Sequence, residues 1–311
     1  GEVVGAFAKK LKAAKIELIT SIRIVKILLD GENRVEGAIS EDGRRIDARA
    51  VIVATGGVSY PGTGSTGDGY RLAKAAGHAL IEPVPSLVPL ESLEEWPKRL
   101  QGLSLVNVAV TSFHRDQKLD SDFGEMLFTH FGVSGPIILS LSRKAAFKTL
   151  EEPGSVSIVI DLKPALSETE LDNRVQRDFA KYIRKIFQNS LDDLLPQKMI
   201  PVIIELSGID PQKPVHQITK EERQRLVKLL KNLKLTITRP RPIAEAIVTA
   251  GGVSVKEINP KTMESKIVSG LFFAGEVIDV DAYTGGYNLQ IAFSTGFVAG
   301  REAGKGIAVD S

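Results

Sequence analysis

In the segment Gly270–Gly296 (GLFFAGEVIDVDAYTGGYNLQIAFSTG), the apolar run Leu271–Ala274 stops at Gly275-Glu276. A short acidic loop with Asp279 and Asp281 follows, then Gly285-Gly286, then a helix-like stretch of small residues. No other stretch constrains the chain as much. Glycine adopts backbone conformations that other residues avoid, and it lets the main chain come close to a neighbour or a ligand. The helix after it presents unpaired N–H groups and the positive end of its dipole. A strand, a glycine loop and a helix in this order predict an α/β layer fold with a binding edge at the loop.

Composition narrows the class. The chain has 311 residues, 43% hydrophobic and 25% charged, with a net charge of +2, which suits a globular protein of more than one domain. It contains no cysteine, which excludes disulfides, thiolate catalysis and cysteine-ligated metals. The four histidines, His78, His114, His130 and His216, show no metal-ligand spacing, so no metal site is expected. No apolar run is long enough to span a bilayer and no signal peptide is evident, so a cytoplasmic location is expected and no membrane partner.

Along the chain, Val3–Ala14 reads as a helix and Ile16–Thr20 as a short strand. Ile22–Leu29, Arg34–Ser40 and Arg44–Asp47 are split by Asp30-Gly31 and Asp42-Gly43, which predicts an antiparallel meander. Ala50–Ala54 is continuous and apolar, as in a parallel strand buried on both faces. A glycine loop, Thr55-Gly56-Gly57, and a helix over Asp68–Ala76 follow. Residues 100–164 read as β-rich, with strands at Leu103–Phe113, Glu125–Thr129 and Val156–Asp161 and a helix over Pro136–Lys148. Ser167…Glu170 and Thr219…Glu222 are capping-box starts of helices. Ala246–Val255 and Leu271–Ala274 return to the first strand type. The layout is a discontinuous domain, 1–84 and 240–311, around an insertion, 85–239, that is β-rich over 85–165 and helical over 166–234.

Gly62-Thr63-Gly64-Ser65-Thr66-Gly67 matches G-x-G-x-x-G, and Glu82 ends a short apolar run beyond it. The dinucleotide fingerprint requires its turn directly off a strand. Here Tyr60-Pro61 and other residues separate Ala54 from the first glycine, so this loop is read as something else.

Ala54–Gly57 (ATGG), Ser65–Gly77 (STGDGYRLAKAAG), Glu125–Ile138 (EMLFTHFGVSGPII) and the Gly270–Gly296 segment together resemble one family. It is the bacterial NAD(P)/FAD-dependent oxidoreductases of the aminoacetone-oxidase-like or BaiN-like type. The resemblance implies a glutathione-reductase-like FAD-binding domain with an inserted β-barrel-like and helical domain. Such proteins begin with a strand–GxGxxG–helix unit that this sequence does not show. By resemblance the chain is truncated by roughly a hundred residues, its N-terminal βαβ unit is missing, and alone it is expected to be inactive.

The implied function of the whole protein is flavin-dependent oxidoreduction. Hydride would pass between FAD and a small organic substrate or NAD(P)H, the reductant being left open. Two alternatives are carried: a cofactor-free structural or interaction fragment, and an RNA-modifying flavoprotein whose helical insertion grips nucleic acid. Ser167–Pro240 holds 14 Lys/Arg against 10 Asp/Glu, interspersed, which fits a solvated face better than a phosphate stripe; nucleic acid is therefore not the expected partner.

By the same resemblance, Ala54, Thr55, Gly56 and Gly57 face the adenosine-pyrophosphate half of FAD, against the alternative of a tight turn. Gly275 and Glu276 occupy the place where a carboxylate binds ribityl hydroxyls. Gly285, Gly286, Asn288, Leu289 and Gln290 would meet the flavin edge with backbone N–H groups, and the plain alternative for Asn288 is helix capping. Asp279 and Asp281 are read as loop-forming or solvent-exposed. Catalytic residues are not identified. His130 is the weak candidate for a proton donor, against a structural role, with Tyr283 and Tyr287 behind it. The resemblance names neither the substrate nor an oligomeric state.

Overall fold

The computed structural model describes residues 2–308. Helix α1 (Glu2–Ala13) buries none of its described side chains and touches the last helix through Phe7, whose ring lies 6.0 Å from that of Phe293. No strand forms over residues 16–20, contrary to the sequence reading: Ile16 and Leu18 are exposed, so they have no sheet to join.

β1 (Ile24–Leu29), β2 (Val35–Ser40) and β3 (Arg45–Asp47) form the antiparallel meander. Its first turn is set by Asp30, whose Oδ1 accepts the N–H groups of Glu32 and Arg34, each at 2.8 Å. The second is set by Asp42, which accepts from the Ser40 hydroxyl, and by Gly43 at φ 84°. β4 (Val51–Val53) leads out of the meander, and α2 (Asp68–Ala75) begins only after a long loop. G-x-G-x-x-G therefore lies far from the strand end, with a single turn of tight helix at Pro61–Thr63 overlapping its start.

β5 (Leu80–Ser86) crosses into the insertion. There β6 (Leu90–Ser92), α3 (Trp96–Arg99), β7 (Ser104–His114), β8 (Gln117–Phe128), β9 (Gly132–Ser134), α4 (Pro136–Glu151) and β10 (Val156–Asp161) follow. The helical part holds α5 (Glu168–Lys181), α6 (Ile200–Ser207) and α7 (Lys220–Lys231), and β11 (Leu233–Pro240) returns. Six of these strands close a barrel in the order β10-β11-β6-β9-β8-β7. α4 packs against all six, setting Ile137, Ile138, Leu141 and Ala145 into the barrel core. Both capping boxes are formed, Ser167 with Glu170 and Thr219 with Glu222. Barrel and helices share one continuous apolar core.

The chain then re-enters its first part through β12 (Val248–Val253), β13 (Leu271–Phe273) and α8 (Tyr287–Ala308). β13 pairs parallel with β4, Leu271 opposite Val51 and Phe273 opposite Val53. A second core, from Ile27 to Ala73 and from Val253 to Ala303, surrounds this pair. Two expectations are corrected. β12 pairs antiparallel with β5 rather than joining the parallel layer, because β5 runs into the insertion and β12 runs out of it. β4 is not buried on both faces, since Ile52 is 39% exposed.

α4 is the plug on which barrel closure rests. Ile138 is fully buried, and Ile138→Ala removes about 3 kcal/mol of unfolding free energy in urea titration, whereas exposed Val106→Ala changes it by less than about 0.5 kcal/mol.

Candidate cofactor-binding site

Three segments distant in sequence meet at the carboxyl ends of β4 and β13. The loop after β4 passes beside Thr249 of β12. The Thr249 Oγ1 accepts the N–H groups of Val58 (3.0 Å) and Ser59 (3.2 Å), with the Ser59 hydroxyl at 2.9 Å. The Thr249 N–H in turn donates to Oε1 of Glu276 at 2.7 Å. Gly57 fits only because it has no side chain: a Cβ there would stand 2.4 Å from the Thr249 Oγ1 and 2.8 Å from the Glu276 Oε1. Gly56 takes φ 73°, a region that favours glycine.

After β13 the chain turns at Gly275, φ 74°, whose N–H donates to the Thr295 Oγ1 of α8 at 2.9 Å. Glu276 then faces a cleft of about 420 Å³. Its polar lining comes from Glu276, Tyr283, Thr284 and Asn288 and its bare backbone from Gly285 and Gly286, at φ 109° and 92°. Apolar side chains, among them Leu87, Val248, Val280 and Ala292, complete it, and none of the lining residues is basic. Leu87 holds φ 53° although it is almost wholly buried, strain that a leucine keeps only where packing enforces it.

Of the residues singled out from the sequence, Glu276, Gly285, Gly286, Asn288 and Leu289 line this cleft. Gly57 and Gly275 stand behind Glu276, while Ala54, Thr55 and Gly56 lie outside the lining. Gln290 is also outside it: its N–H is taken by the Gly286 carbonyl at 2.9 Å and its side chain by Ser294. Asn288 does not cap α8. Its amide clips the preceding loop, accepting from the Ala282 N–H and donating to the Ala282 carbonyl, both at 2.9 Å.

His130 is exposed at the β8–β9 turn, its ring 4.9 Å from that of Phe131, and is not part of the cleft lining. Tyr283 lines the cleft and Tyr287 does not. Asp281 is neither a simple loop former nor free in solvent, as its sequence context suggested. It pairs with Arg143 of α4 at 2.8 Å and accepts from the Ser86 hydroxyl at 2.7 Å.

Sequence reasoning missed Thr249 and Tyr70. Thr249 was hinted at by the echo of ATGGVS in TAGGVS. Tyr70 of α2 packs its ring beneath Gly252, and its buried hydroxyl has no partner among the described residues. Burial pushes this phenol well above its ordinary range, reinforced by the Glu276 and Asp279 carboxylates. Burial also raises the Asp279 carboxyl, the Gly251 N–H opposes this, and Asp281 adds to it. Among the described residues no cluster of His, Asp and Glu could hold a metal ion, and no helix is long and apolar enough to cross a membrane.

The group that these residues suit is flat and apolar on its faces, carries hydroxyls beside a carboxylate, and brings an electron-rich edge to a glycine pair and a helix start. The isoalloxazine–ribityl half of FAD has this chemistry. The diphosphate half finds no cation in the cleft.

The chain belongs to the HI0933-like Rossmann family, a family of FAD-dependent proteins; the HI0933-like protein Rossmann domain matches residues 1–302. It is 33% identical over 296 residues to a 3-dehydro-bile acid delta(4,6)-reductase of Clostridium scindens, covering 95% of this chain and 71% of that protein. It is 36% identical over 284 residues to a ribosomal RNA dihydrouridine synthase of Haemophilus influenzae, covering 91% of this chain and 67% of that protein. Among solved structures, an open-conformation flavocytochrome c3 fumarate reductase matches at 18% identity with a TM-score of 0.40, over 97% of this chain and 54% of that one. That last likeness is too distant to carry an argument. The family and the insertion define a Rossmann-like FAD-binding fold of flavoprotein oxidoreductases, interrupted by a six-stranded barrel.

Two measurements follow. Tyr70→Phe removes a buried hydroxyl without a partner and raises the unfolding free energy of the cofactor-free chain by about 1 kcal/mol in urea titration. The folded state holds the Asp279 carboxyl above its ordinary value of 3.8, so the proton is favoured on folding. Its contribution is fully present below that value and is lost as pH rises through the higher folded value. Asp279→Asn therefore raises the Tm at pH 7, and the gain vanishes at a pH below about 3.5.

Proposed function

We propose that the chain serves a flavin-dependent reductase that saturates a carbon–carbon double bond conjugated to a carbonyl. The observation that carries this is the cleft that joins Glu276, the Gly285-Gly286 pair and the start of α8 under apolar walls. The names of the relatives add the substrate chemistry. A 3-dehydro-Δ(4,6) steroid and a uracil ring both present C=C next to C=O, and a reductase of the one and a dihydrouridine synthase for the other each add two hydrogens across such a bond.

FAD, when bound, supplies hydride chemistry, and the protein supplies orientation and electrostatics. Glu276, anchored through one oxygen on Thr249, would hold the cofactor by accepting hydrogen bonds from ribityl hydroxyls. Gly285 and Gly286 would let the backbone approach the ring edge, and the positive end of α8 would favour negative charge there. The apolar walls exclude water from the reacting face. Of the proton-donor candidates Tyr283 lines the cleft and His130 does not, and the Tyr283 hydroxyl would have to turn from Asp120 of β8, 3.4 Å away, to protonate a substrate there. NAD(P)H is the electron donor to test first.

A small enone is the substrate we favour. Arg174, Lys181, Lys213, Arg223 and Lys231 of the helical part are engaged in ion pairs with neighbouring carboxylates, which lowers their value for phosphate binding. The second reading, uracil within RNA, is favoured by the dihydrouridine synthase relative at 36% identity.

The test begins with the visible absorbance of the chain after incubation with excess FAD and desalting. Retained flavin bands are expected, and Glu276→Gln weakens FAD binding roughly tenfold. A colourless wild-type chain rejects this site as sufficient and favours the structural-fragment alternative. With flavin in place, oxidation of the photoreduced chain by a steroid 4,6-dien-3-one supports the enone. Oxidation only by a uridine-containing ribosomal RNA fragment, with steep salt dependence, replaces it by RNA.

A further inference from the structure

α4 has two faces. One plugs the barrel. The other carries Ser140, Arg143 and Lys144, positions i, i+3 and i+4 that share a helix side, and it meets the loop between Asp279 and Asn288. The Arg143 Nε donates to the Asp281 Oδ2 at 2.8 Å, and its Nη2 donates to the Asp281 carbonyl at 3.0 Å. The guanidinium lies 4.6 Å from the centroid of the Tyr283 ring. The Tyr283 hydroxyl donates to Asp120 of β8 at 3.4 Å, and Lys144 pairs with the same carboxylate at 2.9 Å. Ser140 meets Thr284 at 3.2 Å. The Arg143 and Asp281 side chains are only 25% and 19% exposed, so water screens the pair weakly.

The loop's own domain secures it elsewhere. The Asp279 N–H donates to the Val253 carbonyl at 3.0 Å, and Asn288 clips Ala282 from the far side. Gly285 and Gly286 lie between the clip and the Ser140–Thr284 contact. Without side chains they have the widest conformational freedom in the loop, and the Gly286 carbonyl, which accepts the Gln290 N–H at 2.9 Å, ties only the second of them to α8.

We propose that Arg143 is a positioning residue for the cofactor: through Asp281 and the Tyr283 ring, the barrel's plug helix sets the loop conformation in which Gly285-Gly286 receives the flavin. This rests on the flavin reading above and extends it to a residue of the insertion. It makes the barrel more than a cover, because any displacement of α4 moves the wall of the cofactor cleft. Arginine is required by the geometry. Two donors of one planar group reach two acceptors of Asp281 while its face stacks on an aromatic ring, and a lysine ammonium cannot do all three.

The experiment compares wild type, Arg143→Lys, Arg143→Met and the near-isosteric Asp281→Asn. Three readouts are taken: hydrogen exchange of residues 279–288 in the cofactor-free chain, FAD titration by flavin fluorescence, and the visible circular dichroism of bound flavin. All three variants are expected to speed exchange in the loop and to weaken FAD binding roughly tenfold with an altered flavin signal, exchange in β7 and β10 staying as in wild type. Recovery of wild-type affinity in Arg143→Lys overturns the requirement for arginine geometry. FAD affinity within about twofold of wild type in Asp281→Asn and Arg143→Met overturns the positioning role. A variant with faster exchange throughout the barrel reports plain destabilisation, and Asp281→Asn then decides. If the wild type retains no FAD, the flavin reading fails, and loop exchange in the cofactor-free chain alone decides whether the latch exists.

Discussion

Thr249, fully buried, holds the first and last parts of the chain to each other. Its hydroxyl takes the backbone of Val58 and Ser59, and its amide anchors the carboxylate of Glu276. The parallel pairing of β4 with β13 brings both loops to the same edge, but pairing alone would leave a carboxylate and two peptide N–H groups facing apolar surroundings. Burying such groups unpaired costs several kcal/mol. The threonine satisfies them together and leaves Gly57 so close to Glu276 that no side chain could stand between them. The cleft of Glu276, Gly285 and Gly286 depends on that junction.

Around it the protein divides its labour between two cores. One packs around the β4–β13 pair and the other fills the barrel and its helices. β5 and β12 bridge them as an antiparallel pair, which makes the crossing a short ribbon. Leu87 keeps its strained backbone just beyond this ribbon and contributes to the cleft, so the crossing is also part of the cleft wall. The contacts from α4 to the loop at Asp281 give the barrel a second attachment next to the cleft. Insertion and cofactor domain are thus connected where the chemistry is proposed to happen.

Much of the site was legible in the sequence for local reasons. A strand ending in Gly-Glu, an acidic loop and a glycine pair before a helix describe backbone geometry directly, because glycine's freedom is a property of the residue itself. Helix starts at Ser167 and Thr219 were equally local, each capping box being closed within four residues. The rejection of G-x-G-x-x-G at Gly62 as a fingerprint also needed only spacing. Where the reading erred, a distant partner decided. Ala246–Val255 is apolar in either orientation, and its antiparallel pairing follows from the path through the insertion. Asn288 could have capped α8, but the loop folding back made Ala282 the better partner.

The sequence by itself determined the family, the α/β class with its interrupted chain, and the strand–glycine-loop–helix segment that lines the cleft, since these rest on residue type and spacing. The tertiary structure alone decided which of those residues share a cleft and which side chains serve them. Asp281 meets Arg143 across 138 positions, Thr249 reaches Val58 across 191, and Tyr70 loses its hydrogen-bonding partner only when α2 packs against β12. Contacts at such separations leave no periodic trace, because their energy comes from groups that meet only after both cores have closed.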